Sequence, residues 1–382
     1  MKCSFCKRSQ HEVEKIIKSD NVGICNECVE TCSDVLFKLK KEETKIVESV
    51  NPEELKKYLD RFVVSQEQAK KILSVAVANH FKRLNHKESN LEKSNVLLVG
   101  PSGSGKTLLV KTIAEYLNVP FVIADATVLT ENGYVGEDVD SVLVKLLDKA
   151  GGNVQLAESG IVFLDEIDKI AKKDNDTTKS VGGEGVQQAL LKLVEGSTFT
   201  IHPSNRDQDP VEINTDNILF VGSGAFIGLD KIARRKRNPT QIGFSAALKD
   251  NDENATIEYD FEDFIDFGLI PEFVGRFPII ASIEPLSRSD LLDILLKVEN
   301  NLVSQYKLLF QYNNVGLTFD DEALEQIVKI AIGKKTGARS LRGILEKVLL
   351  PHMYKLNQYA ENKINKVQIT KSLIDNPKEV KK

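Results

Sequence analysis

Between residues 95 and 224 the chain alternates short apolar runs with longer stretches of helical spacing. The runs Asn95 to Val99, Phe121 to Ala124, Ile161 to Leu164 and Ile218 to Val221 are bounded by Gly, Pro, Asn or Asp. Consecutive apolar positions over so few residues are the mark of a strand covered on both faces. Lys106 to Tyr116 has helical spacing, and upstream a helical pattern runs from Arg61 through Gln66, Ala69, Leu73 and Ala76 to His80. Strands alternating with helices predict an α/β fold with a parallel sheet. After Pro285 the period changes: Leu291, Leu292, Ile294, Leu295 and Val298, then Leu324, Ile327, Val328 and Ala331, predict a mostly helical C-terminal domain. Lys38 to Lys57 is charged and poor in large apolar residues, and reads as a linker or a loosely packed helix. The polar end, residues 376–382, is expected to fray. These shifts divide the chain into residues 1–40, a linker at 41–60, a large domain at 61–285 and a small domain at 286–382.

Composition narrows the function classes. Of 382 residues, 41% are hydrophobic and 28% charged, with a net charge of −5, which fits a soluble globular protein and argues against non-specific capture of nucleic acid or an anionic membrane. No apolar run reaches the roughly 18–20 residues that span a bilayer. The start, Met1-Lys2-Cys3-Ser4-Phe5-Cys6, has no apolar signal region, so the expected location is the cytoplasm, where cysteines serve as metal ligands more often than in disulfides.

The chemistry starts at Gly100-Pro101-Ser102-Gly103-Ser104-Gly105-Lys106-Thr107, followed by Leu108. These residues match the eight-position P-loop pattern between a predicted strand and a predicted helix. Glycines let backbone N–H groups close around phosphate oxygens, Lys106 reaches the β- and γ-phosphates, and the Thr107 hydroxyl joins a Mg²⁺ shell. Ile161 to Leu164 ends in Asp165-Glu166. There Asp165 holds the metal through water and Glu166 polarises the attacking water. Alone, such a strand reads equally well as one ending in a solvated acidic turn; paired with a P-loop it points to nucleotide hydrolysis.

Asp165-Glu166-Ile167-Asp168-Lys169 after a P-loop resembles the AAA+ ATPases. The resemblance implies a five-stranded parallel sheet with a helical lid, a homohexameric ring, and sites completed by a neighbour's arginine. The matching residue is Arg276, in Gly268-Leu269-Ile270-Pro271-Glu272-Phe273-Val274-Gly275-Arg276; by itself it also reads as a surface arginine. Arg339, in Gly337-Ala338-Arg339-Ser340-Leu341-Arg342, resembles the lid arginine that senses nucleotide, and also reads as a salt-bridged helix-start residue.

Within that family the chain is similar to the unfoldases that serve the ClpP peptidase. Gly133-Tyr134-Val135-Gly136 matches their pore loop, where Tyr134 and Val135 grip unfolded or tagged polypeptides; a tight turn with a half-buried tyrosine is the other reading. Gln241-Ile242-Gly243-Phe244 matches their peptidase-docking loop, in which Ile242, Gly243 and Phe244 form the knob, as against a loop anchor tucked on its own domain. The basic run Arg234 to Arg237 reads as a solvated face or a contact to an acidic surface. Gly183 to Gln188 matches the end of a second pore loop, although Lys179 stands where the branch often has arginine. The branch also has a longer, basic pore-entrance segment; here Ser197 to Asn214 is short, with only His202 and Arg206 to offer positive charge. At Ser223 the branch often has glycine, and this serine either touches the γ-phosphate or its water, or caps the turn.

All five cysteines fall in the first 32 residues. Cys3-x-x-Cys6 and Cys25-x-x-Cys28 have the spacing of a four-cysteine Zn²⁺ site, in which each pair forms a knuckle and the metal replaces a core that ~40 residues cannot build. Cys32, one helical turn after Cys28, is expected to be a buried thiol, and His11 is a spare ligand that the two pairs make unnecessary. Cys3 to Cys6 and Ser9-Gln10-His11-Glu12-Val13 resemble the N-terminal domain of the same branch, which implies a small treble-clef-like module that dimerises and receives adaptors or substrates. Three functions follow: an ATP-driven unfoldase feeding ClpP, a stand-alone remodelling chaperone, and a zinc-containing nucleic-acid motor. The apolar pore tip and the acidic balance argue against the last.

Overall fold

A computed structural model describes residues 2–19, 22–33, 49–86, 91–130, 137–172, 183–203, 209–237, 258–334, 336–361 and 364–376. The chain forms two compact units, Met1–Glu48 and Ser49–Lys382.

In the first unit Ile16–Ser19 and Val22–Cys25 pair antiparallel, with Ile16 opposite Cys25. A helix follows directly, over 26–33. Its core is Cys3, Val13 and Cys25, with Cys6, Ile16 and Cys28 packed around them. So few apolar side chains cannot stabilise a fold of this size.

The second unit opens with helix α1, Pro52–Phe62, inside the segment that reads as a linker or a loosely packed helix. Asn51 caps it by accepting from the Glu53 N–H at 3.0 Å, Pro52 supplies the pre-set φ of a first turn, and Leu55 and Leu59 are buried one turn apart. Two apolar positions among many charges left little periodicity to read. The helical pattern expected from Arg61 is broken after Phe62 and resumes as helix α2, Glu67–Asn85.

Five parallel strands follow in order: β1 (Val96–Val99), β2 (Phe121–Asp125), β3 (Ile161–Asp165), β4 (Leu219–Gly224) and β5 (Ile279–Ser282). Their spatial order is β5-β1-β4-β3-β2, with Val221 opposite both Val96 and Phe163. β1, β4 and the first four residues of β3 are buried, because helices cover both faces of a parallel sheet. Helix α3, Lys106–Leu117, leaves β1 directly after the glycine-rich loop. The strand C-termini therefore collect that loop, Asp165 and Gly224 at one edge, the usual ligand edge of an open α/β sheet. A hairpin, Thr198–Ile201 with Val211–Asn214, occupies the short segment after Gly196.

The lid has its own core around Leu295, Phe310, Ile327, Leu341, Leu345 and Leu349. It is built from helices α4 (Arg288–Leu296), α5 (Leu302–Gln311), α6 (Asp321–Gly333) and α7 (Arg339–Tyr354). A two-stranded parallel pair, Gly316–Phe319 with Lys366–Ile369, completes it and was not anticipated.

Candidate functional site: a nucleotide cleft and a cysteine cluster

A cleft of about 850 Å³ lies between the sheet edge and the lid. Ser102 to Leu108 line it together with Asp165, Glu166, Asp168, Lys169 and Arg339. The loop after β1 turns on two left-handed glycines, Gly103 at φ +76° and Gly105 at φ +101°. Gly103 has no room for a side chain, because a Cβ there would sit 2.2 Å from the Thr336 carbonyl oxygen. The Ala338 N–H donates to the Gly103 carbonyl at 3.1 Å, so the lid rests on the phosphate loop itself.

Lys106 is buried and folds back to donate to the carbonyls of Gly100 and Pro101, at 2.7 and 2.9 Å. Desolvation lowers its pKa, opposed by Asp165 and Asp168, while Arg339 adds to the lowering. A desolvated ammonium near a second cation is a site suited to an anion. Asp165 ends β3 and accepts from the Glu166 N–H at 3.0 Å. Glu166 follows in the left-handed region at φ +57°, a strained position for a non-glycine residue and one found at functional sites. Asp168 is buried and accepts from the Phe226 N–H at 3.3 Å, tying the strand end to the turn after β4. Arg339 begins α7 and reaches Ser102 Oγ at 3.4 Å. The donor set fits a nucleoside triphosphate with its Mg²⁺: turned backbone N–H groups, one buried lysine, one hydroxyl and two carboxylates.

The expected site residues separate into three groups. Ser102, Gly103, Ser104, Gly105, Lys106, Thr107, Leu108, Asp165, Glu166 and Arg339 meet in this cleft, with Pro101 in the same loop. Arg276 lies outside the lining and pairs with Glu195, its Nε and Nη2 at 3.0 and 2.5 Å from one carboxylate oxygen. Tyr134, Val135, Ile242, Gly243 and Phe244 lie outside the described residues. Ser223 does not cap a turn: it sits inside β4, fully buried, and its Oγ has no hydrogen-bond partner in the structure. The basic run ends the helix Leu229–Arg237, where Lys236 meets Asp266 at 2.8 Å and Glu262 at 3.4 Å; it contacts an acidic surface of its own chain.

Val63, Val64, Ile294 and Val298 form an apolar part of the cleft wall that the sequence reading missed. No spacing or residue type marks them in the sequence; their mark is structural, the break at Val63-Val64-Ser65-Gln66, where Ser65 and Gln66 both have positive φ.

In the first unit the sulfurs of Cys3, Cys6, Cys25 and Cys28 all lie within 4.8 Å of one another. Desolvation alone would raise the Cys3 thiol, but N–H groups of Cys6, Cys25 and Phe5 reverse that and bring it down to about 6. Cys28 is pushed up to about 12 by desolvation and by the neighbouring thiols. Four sulfurs this close cannot all ionise without a countercharge, and a dication supplies one. Cys32 stands outside the cluster and is half-buried rather than buried, and His11 is exposed.

Comparison with known proteins finds matches over the segments that carry both sites. Residues 91–280 match the AAA domain (Cdc48 subfamily), residues 1–38 the ClpX C4-type zinc finger, and residues 286–370 the C-terminal, D2-small domain of ClpB protein. The chain is 47% identical to the "ATP-dependent Clp protease ATP-binding subunit ClpX" of Borrelia duttonii, over 98% of this chain and 91% of that protein. The same subunit of Borrelia recurrentis gives the same figures. That of Treponema denticola is 45% identical over 92% of this chain and 89% of its own length. Among the described residues no helix is long and apolar enough to cross a membrane.

Proposed function

The chain belongs to the ClpX family of AAA+ ATPases, and on that premise we propose that it is a cytoplasmic, ATP-driven unfoldase. It works as a homohexameric ring that threads tagged or unfolded polypeptides through a central pore and delivers them to the ClpP peptidase. The observation that carries this reading is the convergence of the phosphate loop, Asp165-Glu166 and the lid's Arg339 on one cleft. Lid and sheet both line that cleft, so a change in the nucleotide acts on both walls at once.

The N–H groups of Ser102 to Thr107 and the Lys106 ammonium hold the triphosphate. Thr107 and Asp165 would hold Mg²⁺, which when bound neutralises charge on the phosphate oxygens. Glu166 orients water and accepts its proton, and Arg339 reports the nucleotide to the lid. Arg276 serves the neighbouring protomer's site, in keeping with its place outside its own cleft. Tyr134 and Val135 grip the polypeptide by apolar contact, tolerant of sequence. Ile242, Gly243 and Phe244 dock on the peptidase. Cys3, Cys6, Cys25 and Cys28 would hold Zn²⁺, and the module they form dimerises and receives adaptors.

The test is degradation of a stably folded, tagged reporter by purified ClpP with this chain and ATP, comparing wild type with Phe244→Ala. Degradation that requires ATP and disappears in the variant supports peptidase coupling. ATP turnover without degradation across a panel of tags defeats it.

A further inference from the structure

The turn between α1 and α2 is held in a costly shape by contacts far away in sequence. Ser65 and Gln66 are consecutive non-glycine residues in the left-handed region, at φ +54° and +61°. Such a pair persists only where its surroundings dictate it. Gln66 is buried, and its amide makes a two-bond pair with the backbone of Glu284: Nε2 donates to the Glu284 carbonyl at 2.9 Å, and Oε1 accepts from the Glu284 N–H at 2.8 Å. Glu284 lies in the connector that leads from β5 into the lid. Ser65 Oγ donates to Asp290, whose other oxygen accepts from the Ser287 N–H at 2.8 Å and so caps α4. At the other end of the turn the Arg61 guanidinium grips Glu299 at 2.8 and 3.0 Å, while the Glu299 N–H donates to the Arg61 carbonyl at 2.8 Å. From below, the buried Lys70 ammonium bonds the Val63 carbonyl at 2.6 Å and Asp60 at 2.8 Å.

The six residues Arg61 to Gln66 therefore fasten to the lid and its connector at three points. The two residues in the middle, Val63 and Val64, line the nucleotide cleft together with Ile294 and Val298 of the lid. One short turn is at once a wall of the cleft and the anchorage of the lid wall.

We propose that Gln66 is a positioning residue for nucleotide binding, acting through its amide pair with Glu284 to hold the Val63-Val64 wall in register with the lid. It does not line the cleft, so its effect passes through those walls. A buried amide matched to one backbone N–H and one C=O tolerates neither shortening nor charge: asparagine cannot span the gap, and glutamate would set a carboxylate against the Glu284 carbonyl. The other two fastenings involve more exposed groups and serve the same closure less strictly.

The inference rests on the proposed ATPase reading, and affinity is read separately from turnover to keep the two apart. The experiment measures the dissociation constant of a fluorescent ATP analogue, the KM and kcat of ATP hydrolysis, and the thermal midpoint for wild type, Gln66→Ala, Gln66→Asn and Arg61→Ala. Expected are a roughly tenfold or larger rise in dissociation constant and KM for both Gln66 variants, a kcat within about threefold of wild type, and a two- to threefold rise in KM for Arg61→Ala. A Gln66→Asn protein that folds like wild type and binds nucleotide equally well overturns the proposal, as does a loss confined to kcat. Parallel loss of thermal midpoint, kcat and affinity in both Gln66 variants also overturns it, because that is the signature of a merely structural residue. Wild-type protein that binds the analogue but never hydrolyses ATP defeats the ATPase reading, while the affinity ratio still decides the role of Gln66.

Discussion

The two units solve the problem of a core in opposite ways. In Ser49–Lys382 the large domain packs Val, Leu, Ile and Phe from five strands and their covering helices, and Phe163, Phe220 and Phe273 are fully buried. In Met1–Glu48 the buried centre is Cys3, Val13 and Cys25, so ligand sulfurs occupy the place of aliphatic side chains. One unit draws stability from area removed from water; the other would draw it from bonds to the Zn²⁺ proposed for its four sulfurs. Stability in the first is spread over many residues. In the second it is concentrated in four atoms and falls as a whole.

Chelation is the strongest way to break that comparison. Zinc bound to four thiolates contributes on the order of 10 kcal/mol to folding of such a module. Removing it, or making Cys25→Ser, is expected to abolish amide protection across residues 2–33 while the strands of the large domain keep theirs. Hydrogen exchange read by mass spectrometry checks both halves, and retained protection at 16–25 would show that the module folds without metal.

The next effect belongs to the cleft. Glu166→Gln keeps the shape of the strained residue but removes its base, and turnover should fall by roughly 10²–10⁴-fold with nucleotide binding intact. Steady-state ATPase assays with a parallel binding titration measure this, and near-normal turnover would remove Glu166 from the chemistry.

Gly337→Ala probes the approach of lid to phosphate loop. The site has φ +57°, and a Cβ would meet the Gly103 carbonyl at 2.6 Å, so the backbone strain of about 1–2 kcal/mol comes with a clash that pushes the lid away. Nucleotide affinity should weaken by roughly tenfold, with the zinc module unaffected.

A further effect is one of pH within the larger unit. His80 is buried in α2, and desolvation with Arg83 and Lys93 nearby pushes it down to about 3, against a weak opposing contact with the Asn217 backbone. The unfolded chain binds a proton near pH 6.5 that the folded chain refuses, so stability declines as pH falls below that value. At pH 5 the loss is about 2 kcal/mol. Urea midpoints at pH 7 and 5 should converge when His80→Leu is compared with wild type, and an identical pH slope in the two would place the titration elsewhere.

Much of the fold was legible because parallel strands announce themselves as short unbroken apolar runs, and β1 to β4 all fall on runs read from the sequence. Helix α1 was legible only as one of two alternatives, linker or loose helix, since its burial rests on Leu55 and Leu59 alone within a charged segment. At the cleft, Gly100 to Thr107 and Asp165-Glu166 were legible as motifs, because their chemistry is carried by adjacent residues. Val63 and Val64 were not: two valines at a helix break gain meaning only when Ile294 and Val298 line the same cleft.

The sequence by itself determined the phosphate loop, the acidic strand end and the two cysteine pairs, because their geometry is local and residue type alone selects it. Proximity between distant segments was decided by tertiary structure. Gln66 meets Glu284 across 218 residues, and Arg339 reaches Ser102 across 237. Arg276 turns out of its own cleft toward Glu195. None of these pairs has a spacing or a pattern to betray it, because what joins them is the packing of the lid on the sheet edge.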